Sequence, residues 1–299
     1  HFHVEGAIQA VPVEQIRAVK AASQLSAEGQ FFQTWHEAID GLRTKDDFVR
    51  AAKSVVHGFE SSGVVWAEVF VSPPDCEMRQ HNSLSFSQAL RWWVEAFDQV
   101  VSSRCEVRLI VDLVRLYPLA NAERWLSELL EIRRLSGGGR IIGIGLGGPQ
   151  NSNPLRLYRE LLRRARQENL LCVAHAGEMG SGLDVEEAVF DLGVSRIGHG
   201  LGLSASENAY RYVLTNQIPV ESCPTSSVKT GACPDLREHP IRDWVKSGLP
   251  VTISTDDAAL FRTELALEFL AVHRAFGWNP ETIARIIAAS FSISTMPSE

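Results

Sequence analysis

No run of eighteen apolar residues occurs anywhere in the 299-residue chain, so it offers no candidate for a membrane-spanning helix. Basic charge is in short supply. Twenty-nine Lys and Arg against 36 Asp and Glu leave a net charge of −7, the wrong sign for a nucleic-acid or anionic-membrane partner. There is no Cys-x-x-Cys pair, and five cysteines cannot all be paired, so they read as reduced thiols of a cytoplasmic protein. The first residues do not read as a signal peptide, and the sequence begins without methionine. A barrel strand would begin a few residues before His1, so the chain is expected to be clipped at its start. No Pro-, Gly- or Ser-rich linker divides it, and residues 1–299 read as one domain.

Hydrophobic residues make up 45% of the chain, enough for a large core, and they come in short runs. Eight segments read as strands: His1–Glu5, Val64–Val71, Val107–Val111, Ile141–Gly147, Leu170–His175, Arg196–His199, Ile218–Cys223 and Pro250–Asp256. Between or after them lie helical patterns at 85–104, 121–135, 154–168, 184–192, 205–216, 261–275 and 280–289. Near-continuous apolar strands alternating with helices predict a parallel sheet covered on both faces. Eight such units predict an α/β protein of the (β/α)8 TIM-barrel type. Residues 12–62 read as a helical insertion after the first strand, with Phe31, Phe32, Trp35, Ile39 and Leu42 at mostly helical spacing. That stripe is either a core-facing surface or part of a lid over the active-site end, where Arg43 and Lys45 would favour a carboxylate-bearing substrate.

In a barrel of this kind the chemistry lies at the C-terminal ends of the strands. Those ends carry His1 and His3, His175, His199, Asp256 and Asp257. His1 and His3 are two apart on an extended segment and therefore share a face. Singly, each has a plain explanation, such as a buried histidine bonded to backbone or an Asp capping the helix expected at 261. Together, imidazoles and a carboxylate suit Zn²⁺. The end of Ile141–Gly147 has no Lys, His, Asp or Glu to bridge a second ion, so one ion is expected.

The blocks HFHVEGA, HAGE, RIGHG, ESCPTSSVKTG and STDDAALF, in this order, resemble the signature blocks of the adenosine deaminase family of the amidohydrolase superfamily. The likeness runs from residue 1 to about 291. It implies a mononuclear zinc enzyme that deaminates a 6-aminopurine, a small-molecule purine nucleoside in the first instance, to the inosine-type product and ammonia. Carried over by position, it implies His1, His3, His175 and Asp256 as zinc ligands. Glu178 would protonate purine N1, His199 would take a proton from the attacking water, Asp257 would meet N7 and the Gly148 backbone N3. Glu5 would lie near the ribose hydroxyls. The residue types suit the chemistry: attack at C6 breaks ring aromaticity unless N1 is protonated, and zinc lowers the pKa of water from 15.7 to about 7.

Four positions depart from the family pattern: Gly145 for Asp, Gln150 for Glu, Phe70 for Arg and Ala258 for Pro. None removes an expected ligand or proton carrier, so they bear on the substrate more than on the chemistry. Adenosine is the first expectation. Free adenine and a modified adenosine such as aminodeoxyfutalosine, of menaquinone synthesis, are the alternatives. A catalytically silent barrel should have lost a ligand or Glu178, and this chain keeps them all.

Overall fold

The computed structural model describes residues 1–5, 35–79, 84–100, 104–136 and 139–297. Seven strands form one parallel sheet in sequential order: β1 (Trp66–Val71), β2 (Glu106–Asp112), β3 (Ile141–Leu146), β4 (Leu171–Ala176), β5 (Arg196–His199), β6 (Val220–Ser222) and β7 (Val251–Ile253). Each matches an expected segment to within a few residues. Alternation sorts their side chains. Val69 and Val71 of β1 join the large core under the helices, while Phe70 joins Ile110 and Val173 in a small cluster on the sheet's other face. The helical cover is anchored by Trp93, Trp125 and Trp244, all fully buried. Truncating any one to Ala would cost about 3–5 kcal/mol.

The first segment differs from the strand expected of it. Residues 1–5 form only two isolated bridges, Phe2 with Asp256 and His3 with Phe70. Phe70 N–H donates to the Phe2 carbonyl (2.8 Å) and Val4 N–H to the Phe70 carbonyl (3.1 Å). On the other side Asp256 N–H donates to the His1 carbonyl and His3 N–H to the Asp256 carbonyl, both at 3.1 Å. The segment thus stitches the two edges of the sheet together at their C-terminal ends. No longer ladder forms because β7 stops at Ile253 and Asp256 takes a left-handed φ of +58°, which turns the backbone out of register.

Within the helical insertion expected over 12–62, the described part holds two helices. Residues 35–40 are helical, and a second helix runs Lys45–Ser61. The break lies at Thr44, whose N–H (2.7 Å) and Oγ1 (2.8 Å) both donate to Asp47, so a new helix starts there. Trp35, Ile39 and Leu42 are buried, as the core-facing reading requires. Residues 12–34, with Phe31 and Phe32, lie outside the described residues.

Two short helices, Pro73–Met78 and Pro224–Lys229, follow β1 and β6 directly. The strands expected to end at Val71 and Cys223 stop just before these prolines, and proline suits a first helical turn because its absent N–H has no partner to lose. Both helices lie at the end of the sheet that carries the expected site. Among the described residues no helix is long and apolar enough to cross a membrane.

Candidate active site

The imidazoles of His1, His3 and His175 converge. His175 Nε2 lies 2.9 Å from His1 Nε2 and 3.1 Å from His3 Nε2. Asp256 Oδ1 lies 3.7 Å from the first and 3.8 Å from the second of those Nε2 atoms. Two sets of ligand atoms close enough to share a metal ion, His1–His3–His175 and His1–His199–Asp256, overlap at His1. A ring nitrogen carries one proton or one lone pair, so His175 Nε2 cannot make two ordinary hydrogen bonds. A cation among the lone pairs satisfies all three rings, and the donor set of imidazoles and a carboxylate fits Zn²⁺. Burial, the leading cause in each case, lowers the pKa of His3 to about 4, that of His175 well below its usual value, and that of His199. Neutral imidazole is the form a metal requires.

Neighbouring groups aim these side chains. His1 Nδ1 faces Glu221 Oε2 at 3.1 Å, which leaves Nε2 to point inward. Glu221 is in turn held by Arg196 (3.2 Å), and Arg196 by Glu68 (2.5 Å). Ser226 O–H donates to Asp256 Oδ2 (2.7 Å), turning Oδ1 to the histidines. His199, like Asp256, has a left-handed backbone (φ +62°), strain of the sort that surrounding structure must hold in place. Phe70 packs against the cluster, stacked on His3 at 5.0 Å between centroids and 4.7 Å from the His1 ring. A Cβ at Gly145 would lie 2.6 Å from Phe70 Cε1. Two of the four departures thus meet in one place: the ring occupies the space a side chain at 145 would need.

Above the cluster a narrow cleft of about 60 Å³ is lined by Glu178, His199, Asp257 and Gly148 together with His3, His175 and Asp256. A larger cavity, about 820 Å³, opens between the β1 and β7 edges on the other side of His1, and neither Glu178 nor Asp257 reaches it. The turn carrying Glu178 is fixed from below. Asp184, in a buried pair with Arg115 (2.8 Å), accepts from Gly177 N–H (3.0 Å). Gln150 accepts from Met179 N–H (2.8 Å), so this departure steadies the residue after Glu178. Burial first, and the Asp256 charge next, hold the Asp257 carboxyl well above the usual range.

Three expected groups stand apart from the cleft. Glu5 is wholly buried with Oε1 accepting from Ser72 N–H (2.7 Å), and burial pushes its carboxyl up to about 8. Arg43 is exposed and its Nε donates to the Asp40 carbonyl, while Lys45 pairs with Glu95 at 2.6 Å. Conversely, the cleft is lined by Ser72, Asp75 and Asp112, which sequence reading missed. Asp112 accepts from Gly147 N–H (2.6 Å), and burial raises its carboxyl to about 6. It follows directly on the segment expected to end at Val111, so one more residue of strand would have found it. Asp75 accepts from Tyr117 O–H (2.5 Å) and Trp35 N–H (3.1 Å). Its only sequence signal is its place three residues after Ser72.

Known proteins resemble the chain along its whole length. An adenine deaminase of Chlorobium luteolum is 27% identical over 310 residues, covering 99% of this chain and 89% of the relative. The crystal structure of adenine deaminase from Arthrobacter aurescens superposes with a TM-score of 0.85 at 24% identity, covering 100% of this chain and 93% of that one. An amidohydrolase of Burkholderia ambifaria, solved with bound zinc, gives 0.84 at 21% identity and covers 100% and 85%. The sequence profile described as adenosine deaminase matches residues 6–299, and the chain belongs to the adenosine deaminase family.

Proposed function

We propose that the protein is a hydrolytic deaminase of a 6-aminopurine with a single zinc ion, and that its substrate is the free base, adenine, rather than the nucleoside. The convergence of three imidazole Nε2 atoms beside Asp256, at the floor of a cleft that also holds Glu178 and Asp257, carries the reading. His1, His3, His175 and Asp256 would hold the ion, which supplies a water acidified to near-neutral pKa. His199 would orient the attacking water, take its proton and pass it to the departing amine. Glu178 gives a proton to N1 as C6 becomes tetrahedral, so the ring loses aromaticity without building up negative charge. Asp257 and the Gly148 backbone orient the ring through N7 and N3. Ammonia leaves from C6.

Two observations bear on the choice between base and nucleoside. Glu5, expected at ribose hydroxyls, is buried, and one of its carboxylate oxygens is taken by Ser72 N–H. The cations expected to read an anionic substrate, Arg43 and Lys45, are engaged elsewhere, which counts against a carboxylate-bearing nucleoside. The adenine deaminases among the relatives point the same way. Ammonia release from adenine, adenosine, AMP and aminodeoxyfutalosine by zinc-loaded protein tests it. Adenine should give the highest kcat/KM. A tenfold preference for any of the others defeats the substrate assignment, and release from none of them defeats the deaminase.

A further inference from the structure

The ends of the strands meet the purine in a fixed order. Going around the sheet from β7 through residues 1–5 to β1, β2, β3 and β4, the groups assigned above are Asp257 after β7, Gly148 after β3 and Glu178 after β4. Going around the purine from C6, the nitrogens come in the order N7, N9, N3, N1. Asp257 takes N7, Gly148 N3 and Glu178 N1, so the two circuits run in the same sense. The position between N7 and N3 belongs to N9. Two strand ends between β7 and β3 offer unassigned polar groups to the cleft: Asp112 closes β2 with its Oδ1 already accepting from Gly147 and Val114 N–H, and the other end is that of β1.

Two groups are there. Ser72, the residue after β1, lines the cleft, is fully buried and has an Oγ without a hydrogen-bond partner among the described residues. Asp75 lies one helical turn on, its N–H donating to the Ser72 carbonyl (3.1 Å), and its buried carboxylate also lines the cleft. Tyr117 O–H and Trp35 N–H each use one lone pair of that carboxylate, and each oxygen has a second one to offer. A buried acceptor without a donor costs free energy unless a ligand brings one. In a nucleoside N9 bears the sugar and has no proton. In the free base it bears the donor that such a pair needs.

We propose that Ser72 Oγ and the Asp75 carboxylate accept the N9–H of a free purine and so make the site select the base over its 9-substituted derivatives. The inference deepens the free-base reading and rests on it. Sites built to hydrogen-bond a substrate N–H discriminate strongly against an analogue that lacks it, because the acceptors are then left unpaired.

The test is the ratio of kcat/KM for adenine to that for 9-methyladenine, which keeps every ring atom but the N9 proton. The zinc-loaded native protein should favour adenine by about 100-fold or more. Ser72→Ala and Asp75→Asn should each narrow the ratio by about tenfold or more, mainly through a higher KM for adenine. Zinc content and far-UV circular dichroism are measured on the same samples. Asp75→Asn also disturbs Tyr117 and Trp35, and if it does not fold, Ser72→Ala decides. A folded, zinc-replete Ser72→Ala whose ratio stays within twofold of native overturns the proposal while leaving the free-base reading intact. A native protein that uses 9-methyladenine as well as adenine overturns both.

Discussion

At the scale of single residues, the departures from the family pattern come in a pair that explains itself. Phe70 lies against the rings of His1 and His3, and Gly145 leaves it room to do so. The sequence marks both as departures, but their contact is not legible there, because a phenylalanine in an apolar strand and a glycine in a Gly-rich one give no sign of meeting. Adding one methyl at 145 would press on the ring, and the ring on the histidines. Gly145→Ala should therefore weaken zinc binding by about tenfold while the protein stays folded, and Phe70→Leu in the same chain should recover most of the loss. Overpacking of this kind typically costs about 1–3 kcal/mol. Competition with a chromophoric chelator measures it, and an affinity within twofold of native would show that the ring does not position the cluster. Glu178→Gln separates chemistry from binding at the same scale. It keeps the shape and a hydrogen bond to N1 but has no acid proton, so kcat should fall by about 10²–10⁴ with zinc content unchanged. A zinc-replete variant that keeps more than about a tenth of native kcat in single-turnover ammonia release would remove Glu178 as the proton donor.

At the scale of elements, the seven strands were legible because short apolar runs bounded by turn residues have few other readings. The short helices after β1 and β6 were not, since proline both ends a strand and begins a helix and only the tertiary setting decides. Asp75 sits on one of those helices, which is why a cleft residue was hidden behind an apparent strand stop. The helix Ile241–Ser247 shows another local device. His239 Nδ1 accepts the Ile241 N–H at 3.1 Å, and burial lowers its pKa from 6.5 to about 4. The unfolded chain therefore binds the proton more tightly than the folded one. The stabilisation is fully present above pH 6.5 and is lost as pH falls from there through 4, a total of about 3 kcal/mol. His239→Asn keeps an acceptor but cannot be protonated. In urea titrations of zinc-free protein, its stability should fall less steeply than native between pH 6.5 and 4.5. Parallel profiles would mean that His239 does not carry this acid sensitivity.

At the scale of the whole molecule, the two edges of the sheet are joined by residues 1–4 through four backbone hydrogen bonds and two isolated bridges, a weak seam for a chain of this length. The candidate ligands lie across that seam: His1 and His3 on the stitching segment, His175 at the end of β4 and Asp256 just beyond β7. An ion held by all four would tie residues far apart in sequence and bind the folded chain in preference to the unfolded one. By mass action, zinc at 100 times its Kd adds about 2.7 kcal/mol. For a chain of this size that amounts to a rise in Tm of roughly 4 °C. Thermal melts with a chelator and with graded zinc should show that rise, and His175→Ala should lose it, since removing one of three converging nitrogens opens the cluster. If His175→Ala melted with the same zinc-dependent shift as native, the ion would be bound elsewhere. The stabilisation and the catalytic centre would then be separate properties of the fold rather than one.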